Sequence, residues 1–233
     1  MVRQSIFLSR DPRLVRYAPQ RFALLKEKRR RALPFLEALP AGSRLFGSVA
    51  RGDVREASDL DIEVPAGVAS FEVELSLSRM DEPVVSRALV QATPNAVVKA
   101  VWSLGEVAVS LPLTRPNPSE ADFASFAGAV GLEHIRASKR VPGVDKRLLL
   151  IEPVEAGHRE SSVADRVGEA AKVLGIEAEV IRGRVRVLSR RAQKGRTGIY
   201  MNEPLADGDS PEEALAALGA RDPALRRASG GRH

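Results

Sequence analysis

The sequence predicts an α+β protein, and three observations lead there. Short apolar runs bounded by glycine, serine or proline recur at Ser43–Phe46, Leu60–Val64, Ala96–Trp102 and Val107–Leu111, each of strand length. A basic stretch over Arg13–Leu39 has the length of a helix. In the last third, helical spacing occurs twice in succession, as Val167, Ala171, Leu174 and then Ile181, Val185, Leu188. The expected organisation is a strand-containing domain over 1–147, a mainly helical domain over 148–225 and a disordered tail over 226–233.

The elements follow in order. Arg13–Leu39 is interrupted or bounded by Pro19 and Pro34. Its cluster Lys26–Arg31 reads as a solvated helix face or, more sharply, as a phosphate-contacting one. The strand at Ser43–Phe46 ends on the Gly47–Ser48 turn, and the one at Leu60–Val64 is closed by Pro65 and Gly67. Phe71–Arg79 alternates like a strand, yet Val73, Leu77 and Met80 fit a helical face, and helix is the reading preferred. Ala96–Trp102 and Val107–Leu111 read as paired strands around Leu104–Gly105. Thr114–Glu120 is a proline-rich break, and Ala121–Ile135 reads as helix packed on the first domain.

With 44% hydrophobic residues but only 4% aromatics, the core must come from Val, Leu, Ile and Ala. A net charge of +6 and a pI near 10.0 favour an anionic partner, nucleic acid first. Most of that charge is arginine, whose planar fork suits phosphate. Cysteine is absent, which excludes disulfides, thiolate metal sites and cysteine nucleophiles. Imidazole comes only from His134, His158 and His233, so oxygen is the default ligand for any metal. The apolar run in MVRQSIFLSR is too short for a signal peptide. No stretch approaches the roughly 20 apolar residues of a membrane span. A cytoplasmic protein is expected; the oligomeric state is not legible.

The chemistry concentrates in LFGSVARGDVREASDLDIEV, Leu45–Val64. Two carboxylates two residues apart on a strand share a face, and unpaired they repel. Something positive belongs between Asp59 and Asp61. Gly47 lets backbone come close to a ligand, Ser48 adds a hydroxyl, and amides following a strand can cradle phosphate oxygens. Mg²⁺, a hard cation that shares its shell with substrate phosphates, resolves the repulsion.

This stretch resembles the signature of the DNA polymerase beta-like nucleotidyltransferase superfamily: Gly-Ser, often Arg-Gly, then Asp-h-Asp on the next strand. The resemblance implies a small mixed sheet flanked by helices and transfer of a nucleoside monophosphate from an NTP such as ATP. Gly47 and Ser48 would hold triphosphate, Asp59 and Asp61 a Mg²⁺ or Mn²⁺ ion, and Arg51 would steer phosphate or anchor the turn. The family usually adds a third carboxylate from a neighbouring strand. Glu106, Ala108 and Ser110 share one face of the best-placed strand, which makes Glu106 the third catalytic candidate. Glu72 and Glu74 could substitute only if their segment were a strand.

The text AAKVLGIEAEVIRGRVRVL resembles winged helix-turn-helix domains, with Gly175 ending the first helix and Lys194–Leu205 as the wing. Arg182, Arg186 and Arg190 fall on one stripe, and Arg196 sits near the wing tip; all four are candidate nucleic-acid contacts. Glu177 and Glu179, at the start of the second helix, argue against specific DNA reading, so a packing role stays open. His158 could shape the domain junction, although a lone histidine reads more readily as a structural residue than as a ligand. Two functions follow: a Mg²⁺-dependent nucleotidyltransferase acting most readily on RNA, or a catalytically degenerate, nucleotide-sensing regulator that binds nucleic acid.

Overall fold

A computed structural model of the chain describes residues 6–8, 11–195, 198–222 and 225. Strand β1 (Arg13–Arg16) precedes the long helix α1 (Pro19–Ala38), which continues through Pro34. Then come β2 (Arg44–Phe46), a single turn α2 (Ser48–Arg51), β3 (Leu60–Glu63) and α3 (Ser70–Leu77). Three strands follow, β4 (Ser86–Gln91), β5 (Val98–Leu104) and β6 (Val107–Pro112). Short elements continue the chain: α4 (Pro118–Ala121), α5 (Phe123–Ala127), β7 (Ala129–Val130), α6 (Leu132–Arg136) and β8 (Gly143–Val144). The last elements are β9 (Leu149–Val154), β10 (Gly157–Ser162), α7 (Val167–Leu174), α8 (Ala178–Lys194), β11 (Met201–Pro204) and α9 (Pro211–Arg221).

The protein is thus α+β, with a mixed sheet. It divides into two units, the first drawn from residues 1–30, 46–58 and 122–197, the second from 31–45, 59–121 and 198–233. The units are interleaved along the chain, where the sequence reading has them consecutive. Val144 of β8 pairs with Leu150 of β9, so the chain on either side of residue 147 shares one sheet. Among the described residues, no helix is long and apolar enough to cross a membrane.

In the second unit the strands run β11-β4-β5-β6-β3-β2. β3 and β6 are parallel, and every other neighbouring pair in that series is antiparallel. The alternation in β5 explains the sheet's two sides. Val98, Ala100, Trp102 and Leu104 are buried, together with Val107, Val109 and Leu111 of β6 and Leu60 and Ile62 of β3. Pairing then puts Asp61, Glu63, Ala108, Ser110, Ser103 and Lys99 on the other face. The ambiguous Phe71–Arg79 segment is helix α3, with Val73 and Leu77 buried. Its first turn is capped from α9, whose Glu212 accepts hydrogen bonds from the Ser70 amide (2.9 Å) and hydroxyl (2.5 Å).

The first unit contains the antiparallel sheet β1-β10-β9-β8. The expected helix pair is present: α7 ends at Gly175, which adopts a left-handed φ of 64° and donates its N–H to Ala171 O. Ala170, Leu174, Ile181 and Leu188 close a core with Phe126, Val144, Leu148, Leu150 and Val163. The Lys194–Leu205 stretch does not make the expected hairpin among the described residues. Met201–Pro204 is instead β11, antiparallel to β4, with Leu205 N donating to Arg87 O. Ala121–Ile135 is likewise not one helix, because Gly128 turns with φ 79° and Ala129–Val130 is extended. A Cβ at Gly128 would lie 2.7 Å from Arg51 Cγ and 2.9 Å from Pro142 O. The tail expected to be disordered falls outside the described residues.

Candidate active site

Gly47, Ser48 and Arg51 belong to the first unit, and Asp59, Asp61 and Glu106 to the second. Gly47 takes φ 79°, which disfavours any side chain, and a Cβ there would meet nothing within 4 Å, so the backbone is open to a ligand. Its amide donates to Gly128 O at 2.9 Å. Ser48 begins α2 and donates its hydroxyl to Ser58 Oγ at 2.9 Å, an oxygen that also accepts from the Arg55 amide. The turn is held from α1, where buried Arg29 donates to Val49 O (3.1 Å) and Ala50 O (3.0 Å). Burial draws the Arg29 guanidinium down from its ordinary value to about 10, with the Arg140 cation adding to the effect.

Arg51, expected to steer phosphate or to anchor the turn, is buried and engaged within the fold. Its guanidinium grips Asp53 twice, Nε to Oδ1 at 2.9 Å and Nη2 to Oδ2 at 3.1 Å. Nη1 donates to Ala127 O at 2.6 Å. His158 is a buried structural residue, its Nδ1 2.6 Å from the Tyr17 hydroxyl.

Asp59, just ahead of β3, and Asp61, within it, are both exposed, while Leu60 and Ile62 beside them are buried. Their oxygens are the donors a hard divalent cation takes, and Mg²⁺ is commonly held by one or two carboxylates with water and substrate phosphates. Among the described residues, no group of three or more His, Asp or Glu side chains is placed to hold a metal. The parallel register explains this, since the residue beside Asp61 is Ala108 and the one beside Glu63 is Ser110.

Glu106 is not on a strand but in the two-residue turn Gly105–Glu106 between paired Leu104 and Val107. Its carboxylate is 2.5 Å from Arg31 Nη1. Glu72 and Glu74 lie on α3 and are engaged there: Glu72 accepts from the Ala69 amide, and Glu74 from Arg87 and Trp102. The sequence reading placed Arg31 only within the basic cluster of α1, not beside Glu82 and Glu106, and it missed Glu82, Glu63 and the latter's ion-pair partner Lys99. Only Glu63 was signalled, by continuing the alternation Asp59, Asp61, Glu63.

Of the expected nucleic-acid contacts, Arg182, Arg186 and Arg190 are exposed on α8, and Arg196 lies outside the described residues. Glu179 pairs with Arg182 at 3.1 Å and with Arg186 at 2.7 Å.

Residues 26–87 match the family model described as nucleotidyltransferase domain, a span running from within α1 to the start of β4 and containing both the Gly-Ser turn and the aspartate pair. No curated protein and no solved structure compared with the chain matches it. The match supports transfer of a nucleotidyl group in general terms.

Proposed function

We propose that the protein is a Mg²⁺- or Mn²⁺-dependent nucleotidyltransferase that moves a nucleoside monophosphate from an NTP to an acceptor, RNA being preferred. The observation that carries this reading is the exposed pair Asp59 and Asp61 inside the matched segment. In it, these two carboxylates bind the cation, and Gly47 and Ser48 bind triphosphate through open backbone and hydroxyl. A bound divalent cation supplies neutralisation of the charge on the transferring phosphoryl group. The role of Arg51 is to fix the turn. RNA is favoured by the net charge of +6 and by the exposed arginines of α8, with α7 and α8 as the helix-turn-helix element that holds the acceptor. A cytoplasmic location suits an enzyme consuming NTPs.

Transfer of labelled NTPs to RNA, DNA, protein and small-molecule acceptors tests the proposal. Asp61→Ala is expected to abolish both transfer and metal-dependent NTP binding; a variant that behaves like wild type in both ends the reading. Ala108 beside Asp61 favours one second reading, a nucleotide-sensing regulator that binds nucleic acid without turnover. It predicts an RNA mobility shift lost in Arg182→Ala/Arg186→Ala, with no transfer to any acceptor.

A further inference from the structure

We infer that Arg31 is a positioning residue that withholds Glu106 from the aspartate pair, so that a third carboxylate joins the site only when their ion pair opens. The inference rests on the metal-dependent reading above. Leu60 pairs with Val107, and the Leu60 amide donates to Glu106 O at 3.0 Å. Continuing that parallel register one step puts Glu106 alongside Asp59, and no acid stands beside Asp61. Glu106 is therefore the acid that the turn leading into β6 brings alongside the pair. Its side chain is nevertheless committed elsewhere, 2.5 Å from Arg31 Nη1.

Arg31 is itself clamped. Its Nη2 donates to both oxygens of Glu82, at 2.9 and 3.1 Å. Glu82 in turn lies over Gly105, where a Cβ would come within 2.9 Å of Oε1 and φ is +60°. The hairpin glycine makes room for one carboxylate, and that carboxylate holds the arginine that holds the other. One guanidinium thus faces two carboxylates. The side chains of Arg31, Glu106 and Glu82 are 40%, 30% and 29% exposed, so the Arg31–Glu106 bond can open to water without unfolding. A divalent cation beside Asp59 competes with Arg31 for the same oxygens.

The sign of the effect separates this from a structural role. Removing a residue that merely supports the turn weakens cation binding, whereas removing one that withholds a ligand strengthens it. Mn²⁺ binding to the full chain, read by electron paramagnetic resonance, provides the measurement. Wild type is expected to bind Mn²⁺ and to lose it in Asp61→Asn. Arg31→Met should bind about tenfold tighter, the scale on which groups supporting a ligand change metal affinity. That gain should vanish in Arg31→Met/Glu106→Gln, because a general change in local field would survive the second substitution. Should Arg31→Met fail to fold, Arg31→Lys keeps the charge, loses the fork and should tighten binding by a smaller factor. Unchanged or weaker binding in a folded Arg31 variant, or a gain that persists without the Glu106 carboxylate, overturns the inference while leaving the aspartate site standing. Mn²⁺ binding indifferent to Asp61→Asn overturns the parent reading and this inference with it.

Discussion

At the scale of single residues, burial separates Arg51, in the turn after Gly47 and Ser48, from the arginines that face outward. The side chains of Arg51 and Asp53 are 6% and 10% exposed, so their ion pair is removed from water and fully committed. Deleting one member leaves a buried charge without compensation, a loss of about 3 kcal/mol or more. Arg51→Ala should therefore lower stability by about that amount in urea denaturation. Arg51→Ala/Asp53→Ala should cost less than the two single changes summed. The NTP affinity of folded Arg51→Ala should stay within a few-fold of wild type. Unchanged stability with sharply weakened NTP binding would instead make Arg51 a phosphate ligand. Burial of this kind was not legible beforehand, because an arginine three residues after Gly-Ser looks the same in sequence whether it faces phosphate or Asp53.

At the scale of elements, Glu212 shows how one strap of chain supports another. Burial pushes the Glu212 carboxyl up, but the hydrogen bonds from Ser70's hydroxyl and amide outweigh it and hold it below the ordinary 4.5. A carboxylate depressed in the folded state contributes stability that is fully present above 4.5 and is lost as pH falls through the folded value. Glu212→Gln should destabilise the chain by about 1 kcal/mol at neutral pH, the usual worth of a cap. The gap to wild type should close as thermal melts are taken below 4.5, and a gap that widens in acid would contradict the cap. Elements whose pattern is local were the legible ones. The helix pair α7 and α8 follows its apolar spacing, and β3 its alternation. The hairpin β9–β10 was hidden because β10 buries His158, Glu160, Ser161 and Ser162, residues that read as loop. Strands β1 and β11 were hidden because each pairs with a segment remote in sequence, β10 and β4. The candidate residues divide the same way. Asp59 and Asp61 announce themselves by spacing, whereas Arg31, Glu82 and Glu106 meet only through folding.

At the scale of the whole molecule, the surplus of +6 is not all available to a partner. Arg29 and Arg51 are spent on backbone carbonyls and Asp53. Arg140 donates to Gly157 O and Val154 O, and Arg184 lies over the Phe123 ring at 4.8 Å. On α8 the two exposed arginines nearest its start share one counter-ion. Hydrogen bonding from Arg182, against an opposing effect of desolvation, holds the Glu179 carboxyl below its ordinary value, with Arg186 assisting. A polyanion docking there must displace or repel Glu179, and that carboxylate works against every phosphate contact the two arginines make. Neutralising it exposes one more positive charge to the strand. If α8 meets single-stranded RNA as proposed, the slope of log affinity against log salt should steepen by roughly 0.7 in Glu179→Gln, the increment for one further phosphate neutralised. Filter binding across a salt series measures this, and the gain should be largest at low salt, where screening is weakest. The same substitution in an Arg182→Ala/Arg186→Ala background should gain nothing, because the charges it uncovers are gone. A slope unmoved by Glu179→Gln, or one that steepens without those arginines, would remove α8 from the acceptor surface.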